Sequence, residues 1–167
     1  TVSQVNHGDN TGLSLRVVGQ TTEPVTFAGG LKVKSDTALH KVDRSDLIFV
    51  PGMWGSPAKF LRQNSGLLDW LAHCHENGST ICSLGSGSFY LAEAGLLDGR
   101  SATTHWYYFD LFQARYPGVR LDRKRFITRD SNLYCTGSVN AARDVALHVV
   151  EEIFGDSVAR EIARHFT

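Results

Sequence analysis

A chain of 167 residues is the length of one domain, and since about 150 residues suffice to hide roughly 70% of the unfolded surface, a substantial core is expected. Lys+Arg and Asp+Glu number 17 each; the resulting zero net charge withholds the basic face that a nucleic-acid-binding domain carries, so DNA contact by these residues alone is not expected. No apolar run approaches the ~20 residues that span a bilayer and no signal peptide leads the chain, while Cys74, Cys82 and Cys135 are an odd set without metal-ligand spacing that reads as reduced intracellular thiols; the expectation is a cytoplasmic protein without metal or other cofactor.

Residues 1–12 are polar, rich in Asn, Gly, Asp and Ser, and residues 13–18 read as a strand. Residues 25–28 and 31–33 flank Gly29-Gly30, a hairpin signal. Residues 47–50 (LIFV) are a continuous apolar strand ending at Pro51-Gly52, of the kind that suits the interior of a parallel sheet covered on both faces. A helical turn is expected over 56–60 and a helix over 65–76, where Leu67, Leu68, Leu71 and Cys74 recur at helical spacing and Gly78 closes the element. After a strand over 80–84 come a helix over 88–94, a short strand over 102–104, a helix from His105 to about Tyr116 with Pro117-Gly118 as its stop, and strands over 126–128 and 133–136 around the turn Asp130-Ser131-Asn132. Ser138 is placed to cap the longest helix, whose apolar stripe is Ala142, Val145, Ala146, Val149, Val150 and Ile153. Asp156 or Ser157 opens a last helix with Val158, Ile162 and Phe166 on one face. Strands alternating with helices predict a three-layer α/β/α sandwich around a mostly parallel sheet, in a single domain over 1–167.

The richest stretch is 80–106, TICSLGSGSFYLAEAGLLDGRSATTHW. A short apolar strand enters the turn Gly85-Ser86-Gly87, a small-residue helix leaves it, and Gly95 ends that helix. This is the layout of a nucleophile elbow, in which the turn presents a side chain at the carboxyl end of a central strand. Here the turn holds glycine and serine. Cys82 lies within the strand among apolar neighbours, and a thiolate nucleophile needs exposure and an electropositive setting, so Cys82 is expected to be a packed core thiol. Gly85-Ser86-Gly87 does not fit the G-x-S-x-G spacing, and no Ser-His-Asp order is evident.

The run GSFYLAEAGLLDGRSATTHW, the preceding DLIFVPG of residues 46–52 and the stretch 136–155 resemble the ThiJ/PfpI-like domains, relatives of the class I glutamine amidotransferases, and most closely the version fused to AraC-family (GlxA-like) transcription regulators. The resemblance implies a flavodoxin-like fold and a cysteine at the elbow, a position at which this chain has Gly85. It also implies that the family's first strand and helix, with the acidic residue that supports the cysteine, would precede Thr1, and that a helix-turn-helix domain would follow Thr167. Through the family's geometry it points to Met53, Trp54, Gly85, Ser86, Gly87 and His105 as a ligand pocket. In the family the loop Pro51-Gly52-Met53-Trp54-Gly55 offers backbone N–H groups toward the elbow; Met53 replaces its usual second glycine, and Trp54 is expected to narrow or reshape the pocket. His105 is either a ligand donor or acceptor or a helix-start residue, and Ser86 either caps the helix or binds a ligand anion.

Other polar residues read as ordinary surface. Asp144, Glu151 and Glu93 are expected to be solvated or capping charges. His73 and His75 point to different helix faces, whereas a metal needs converging ligands. Arg120, Arg123, Lys124, Arg125 and Arg129 are interrupted by Asp122 and flanked by Asp130, as in a solvated loop. The resemblance and the missing thiol together imply a non-catalytic regulatory domain that binds a small-molecule effector, forms a homodimer, touches no membrane and reaches DNA only through a helix-turn-helix domain outside these residues. The alternatives are a thiol-dependent enzyme of the isonitrile-hydratase or deglycase type, which requires an exposed Cys82, and a purely structural dimerisation module.

Overall fold

The computed structural model describes residues 14–27 and 29–165, so the expectations for residues 1–12, for Leu13, for Ala28 and for Phe166 fall outside the described residues. The chain divides into two compact units, Thr1–Lys41 and Val42–Thr167. In the first, β1 (Val18–Gly19) pairs in parallel with β4 (Thr37–Ala38), and β2 (Val25–Thr26) pairs antiparallel with β3 (Lys32–Val33). The expected hairpin is present: Gly29 and Gly30 have φ of 85° and 83°, which only glycine adopts without strain. The strand expected over 13–18 instead begins at Val18, where pairing with β4 starts. Before it, the Val17 amide is taken by the Asp36 carboxylate at 2.7 Å.

The second unit is built on a four-stranded sheet in the order β5–β6–β10–β9, comprising β5 (Leu47–Val50), β6 (Thr80–Leu84), β9 (Ile127–Asp130) and β10 (Leu133–Thr136). The first three of that order are mutually parallel and β9 is antiparallel to β10. A separate parallel pair joins β7 (Ser101–Ala102) to β8 (Arg120–Leu121). The helices are α1 (Pro57–Gln63), α2 (Ser65–Glu76), α3 (Ser88–Glu93), α4 (Phe109–Arg115), α5 (Val139–Phe154) and α6 (Asp156–Arg164).

Strand alternation sorts the core into two layers. Ile48 and Val50 of β5, Ile81 of β6, and Leu133 and Cys135 of β10 join Leu71, Cys74, Phe89, Leu91 and Phe112 of α2, α3 and α4. Leu47, Phe49, Cys82 and Tyr134, from the alternate positions, pack against Val145 and Val149 of α5. Both sheet faces are thus covered by helices, the three-layer α/β/α arrangement that the pattern predicts. The apolar run of β5 follows from cover on both faces, although β5 ends the four-strand order instead of lying inside it.

Several boundaries differ from expectation. The strand expected over 102–104 is β7 at Ser101–Ala102: Thr103 and Thr104 are fully buried but leave the ladder. The strand expected over 126–128 begins one residue later, where the pairing of Ile127 with Thr136 starts, although the Phe126 carbonyl still accepts the Gly137 amide at 2.8 Å. The helix expected from His105 starts as a single 3-10 turn, Trp106–Tyr108, before α4. The two-residue strand β8 falls inside the basic run, which carries no strand signal of its own. Ser138 caps α5 as expected, its Oγ accepting the Ala141 amide at 3.2 Å, a bond worth about 1 kcal/mol. Among the described residues no helix is long and apolar enough to cross a membrane.

Candidate functional site at the end of β6

β6 is central to its ladder, with parallel neighbours on both sides, so its carboxyl end opens where the β5 and β10 ends also lie. In open α/β sheets this is the edge at which ligands bind. Immediately after Leu84 the backbone reverses at Gly85, φ 53°, and a 3-10 turn, Gly85–Gly87, feeds α3. A left-handed φ in a tight strand-to-helix turn is the geometry of an elbow; glycine takes it freely, whereas an L side chain there costs roughly 1–2 kcal/mol. The Gly85 amide reaches Thr136 Oγ1 at 3.4 Å, and its carbonyl accepts from Ser88 Oγ at 3.2 Å and Thr104 Oγ1 at 3.4 Å. A Cβ at Gly85 would lie 3.7 Å from His105 Cβ and 4.0 Å from its Cδ2, ordinary van der Waals distances. The elbow position therefore faces the histidine, and a Cβ placed there would meet it at contact distance without a clash.

His105 is half-buried at the start of the turn before α4, and its Nδ1 accepts the Tyr107 amide at 3.3 Å. That bond assigns the proton of the neutral ring to Nε2. The structure gives His105 the helix-start role, and its ring borders the elbow. Around it lies a run of rings. Trp54 meets it edge-on at 5.9 Å, Trp106 lies tilted at 5.6 Å and Tyr108 stands at 6.3 Å, with Tyr107 beyond. Trp54, Trp106 and Tyr107 are 78%, 69% and 67% exposed.

The loop from Pro51 to Gly55 is pressed onto the elbow turn. A Cβ on Gly87 would stand 2.6 Å from the Val50 carbonyl oxygen and 2.9 Å from that of Pro51, and a Cβ on Gly52 2.9 Å from that of Leu84. Both glycines are required by this backbone approach. Met53 and Trp54, paired in the sequence reading, part company: the Met53 side chain is buried in the core cluster, while Trp54 projects outward. Ser86 is buried, and its Oγ donates to the Met53 carbonyl at 2.6 Å and accepts the Met53 amide at 2.8 Å. The hydroxyl makes no helix-cap bond, so the capping role considered for it is replaced by a grip on the loop. Sequence reasoning placed Gly52 in the loop facing the elbow but missed Thr104, Thr136 and Tyr108, whose hydroxyl donates to the Gly55 carbonyl at 3.1 Å; none of these three carried a local signal.

The thiols lie elsewhere. Cys82 is fully buried against Tyr134, Val145 and Val149; burial, with a smaller contribution from Cys135, pushes its pKa up to about 12. Cys135 is raised to about 11 by burial, against hydrogen bonds that pull it down. Glu93 is held by Arg115 at 2.9 Å and Tyr116 Oη at 2.6 Å, and Asp144 sits with Arg143 at the surface. In the basic run Arg123 pairs with Asp110, Arg125 with Asp122 and Arg129 with Glu152. Arg120, Arg123 and Lys124 border an open hollow of about 610 Å³ that no elbow residue lines. No group of three or more His, Cys, Asp or Glu among the described residues could hold a metal ion.

Residues 2–152 match the DJ-1/PfpI family. The chain is 34% identical over 143 residues to the HTH-type transcriptional regulator CdhR of Pseudomonas aeruginosa, covering 86% of this chain and 41% of that protein. It is 32% identical over 148 residues to the isonitrile hydratase of Pseudomonas putida, covering 89% of this chain and 63% of the hydratase. It thus spans less than two thirds of either relative. A crystal structure of a ThiJ/PfpI family protein from Pseudomonas syringae superposes with a TM-score of 0.77 at 25% identity, over 92% of this chain and 63% of that one. The ThiJ/PfpI resemblance and the flavodoxin-like fold expected from the sequence are both met, and the match to CdhR agrees with the expected likeness to regulators.

Proposed function

This chain belongs to the DJ-1/PfpI family, and we propose that it is the ligand-sensing and dimerisation domain of an AraC-family transcription regulator, with an elbow that binds and does not catalyse. The observation that carries the reading is Gly85: the elbow backbone is kept, the position faces His105, and the side chain that would attack a substrate is missing. The relationship to CdhR supports the regulatory half. In this reading a small-molecule effector occupies the space beside Gly85 and His105, bordered by Trp54. The domain forms a homodimer, and DNA is gripped by a helix-turn-helix domain of the longer protein. An effector biases such a switch only by binding one arrangement better than the other.

The isonitrile hydratase relationship favours a second reading, a thiol-dependent enzyme. It would need a reactive cysteine at the pocket, and Cys82 lies in the core layer facing α5 with its thiol held protonated by burial. The test of the first reading is a thermal-shift screen of metabolites against the wild-type chain and Gly85→Leu. A leucine side chain would fill the space against His105. The expected result is an effector that raises the wild-type melting temperature and leaves that of Gly85→Leu unmoved; equal shifts in both would place the binding site elsewhere and overturn the reading.

A further inference from the structure

The loop carrying Trp54 is fixed to the elbow by one side chain. A serine hydroxyl has one proton to donate and lone pairs to accept, and Ser86 uses both on a single residue, donating to the Met53 carbonyl and accepting the Met53 amide. Those two groups belong to the peptide planes on either side of the Met53 Cα. Fixing both planes fixes the direction in which the chain enters Trp54, whose own nitrogen belongs to the second plane. Ser86 is itself closely enclosed: it is buried, and the backbone of Gly87, the next residue, lies against the Val50 and Pro51 carbonyls. Beyond Trp54 the chain is held again, by the Tyr108 hydroxyl on the Gly55 carbonyl. Between these ties Trp54 is exposed and meets His105 edge-on.

We propose that Ser86 is the positioning residue of this site: its hydroxyl sets the Trp54 ring against His105 and, by occupying the Met53 amide, removes that amide as a donor to any bound anion. The elbow then departs from a catalytic one twice over, at Gly85 for the nucleophile and at Met53 for a loop donor to a developing oxyanion. A ligand meets here the Trp54 ring and the His105 Nε2–H, but no N–H from Met53. This role of Ser86 stands whether or not the site senses an effector.

The three tryptophans, Trp54, Trp70 and Trp106, give a selective readout. In protein labelled with 5-fluorotryptophan, three ¹⁹F resonances are assigned by the single changes Trp54→Phe, Trp70→Phe and Trp106→Phe. Ser86→Ala is expected to shift or broaden the Trp54 resonance while those of Trp70, on α2, and Trp106, on the segment after β7, stay in place; Ser86→Thr, which keeps the hydroxyl, is expected to restore it. An unmoved Trp54 resonance in Ser86→Ala overturns the assignment, and so does a change spread equally over all three. Hydrogen exchange on the unmodified protein tests the same point independently of any variant's folding: the Met53 amide is expected to exchange more slowly than the Trp54 amide, and equal exchange would contradict the role of Ser86.

Discussion

Gly85, Ser86 and His105 meet at the carboxyl end of β6, and each has a distinct structural part. Gly85 keeps the left-handed backbone of the elbow without a side chain, Ser86 commits its hydroxyl to Met53, and His105 anchors a helix start while its ring borders the space left open. Part of this was legible in the residues. The glycine-flanked turn between a strand and a small-residue helix is a local pattern, and Cys82 could be assigned to the core because it lies within an alternating strand among apolar neighbours. The Ser86–Met53 pair was not legible, since 33 residues separate the partners and only the approach of the β5 and β6 ends brings them together. A prediction at this scale concerns the thiols. With burial raising Cys82 to about 12 and Cys135 to about 11, both are held as neutral thiols at pH 7, and Cys74 is buried and raised as well. Native protein at pH 7 is expected to release no chromophore from a disulfide reagent such as DTNB on mixing, and three equivalents once guanidinium unfolds it. Fast labelling of one thiol in the native state would contradict the buried assignment.

Among the elements, those with strong periodic signals came out with the boundaries the residues predict: α2, β5, β6 and β10 match their expected ranges, and α5 follows its Ser138 cap. The two-residue strands β1 and β7 are shortened forms of strands the residues predict over 13–18 and 102–104, cut to the positions at which a partner strand pairs, whereas β8 exists through its pairing with β7 and no local period announces it. Glu93 also proved to be more than a solvated charge. It ties α3 to α4, accepting from Tyr116 and from Arg115, and this brace joins the elbow helix to the helix that His105 leads into. Partial burial raises the Glu93 carboxyl, but the hydrogen bonds from Tyr116 and Arg115 outweigh it, and the net shift is below the usual carboxylate range. A carboxylate depressed in the folded state stabilises the fold above its unfolded pKa, and that contribution is lost as pH falls through the lower folded value. The wild type is therefore expected to lose stability on acidification below the ordinary Glu range more steeply than Glu93→Gln. Urea titrations of both proteins between pH 7 and pH 3 check this, and parallel curves would show that the brace contributes nothing.

At the scale of the molecule, the sheet places one face on α2, α3 and α4 and the other on α5, so the strand ends are the natural place for a site. The family relationship follows that architecture, while the relatives show how differently it is used: a transcriptional regulator and an isonitrile hydratase both lie within 34% and 32% identity of this chain. The fold therefore leaves the function open, and the choice rests on the elbow, where the proposed domain receives a molecule without converting it. The most direct test is a turnover measurement on the chain itself. An isonitrile is incubated with the protein at neutral pH, and its hydration to the N-substituted formamide is followed by proton NMR. The account predicts no more formamide than in buffer alone. Formamide produced by the wild type and abolished in His105→Ala would contradict it and make the end of β6 an active site.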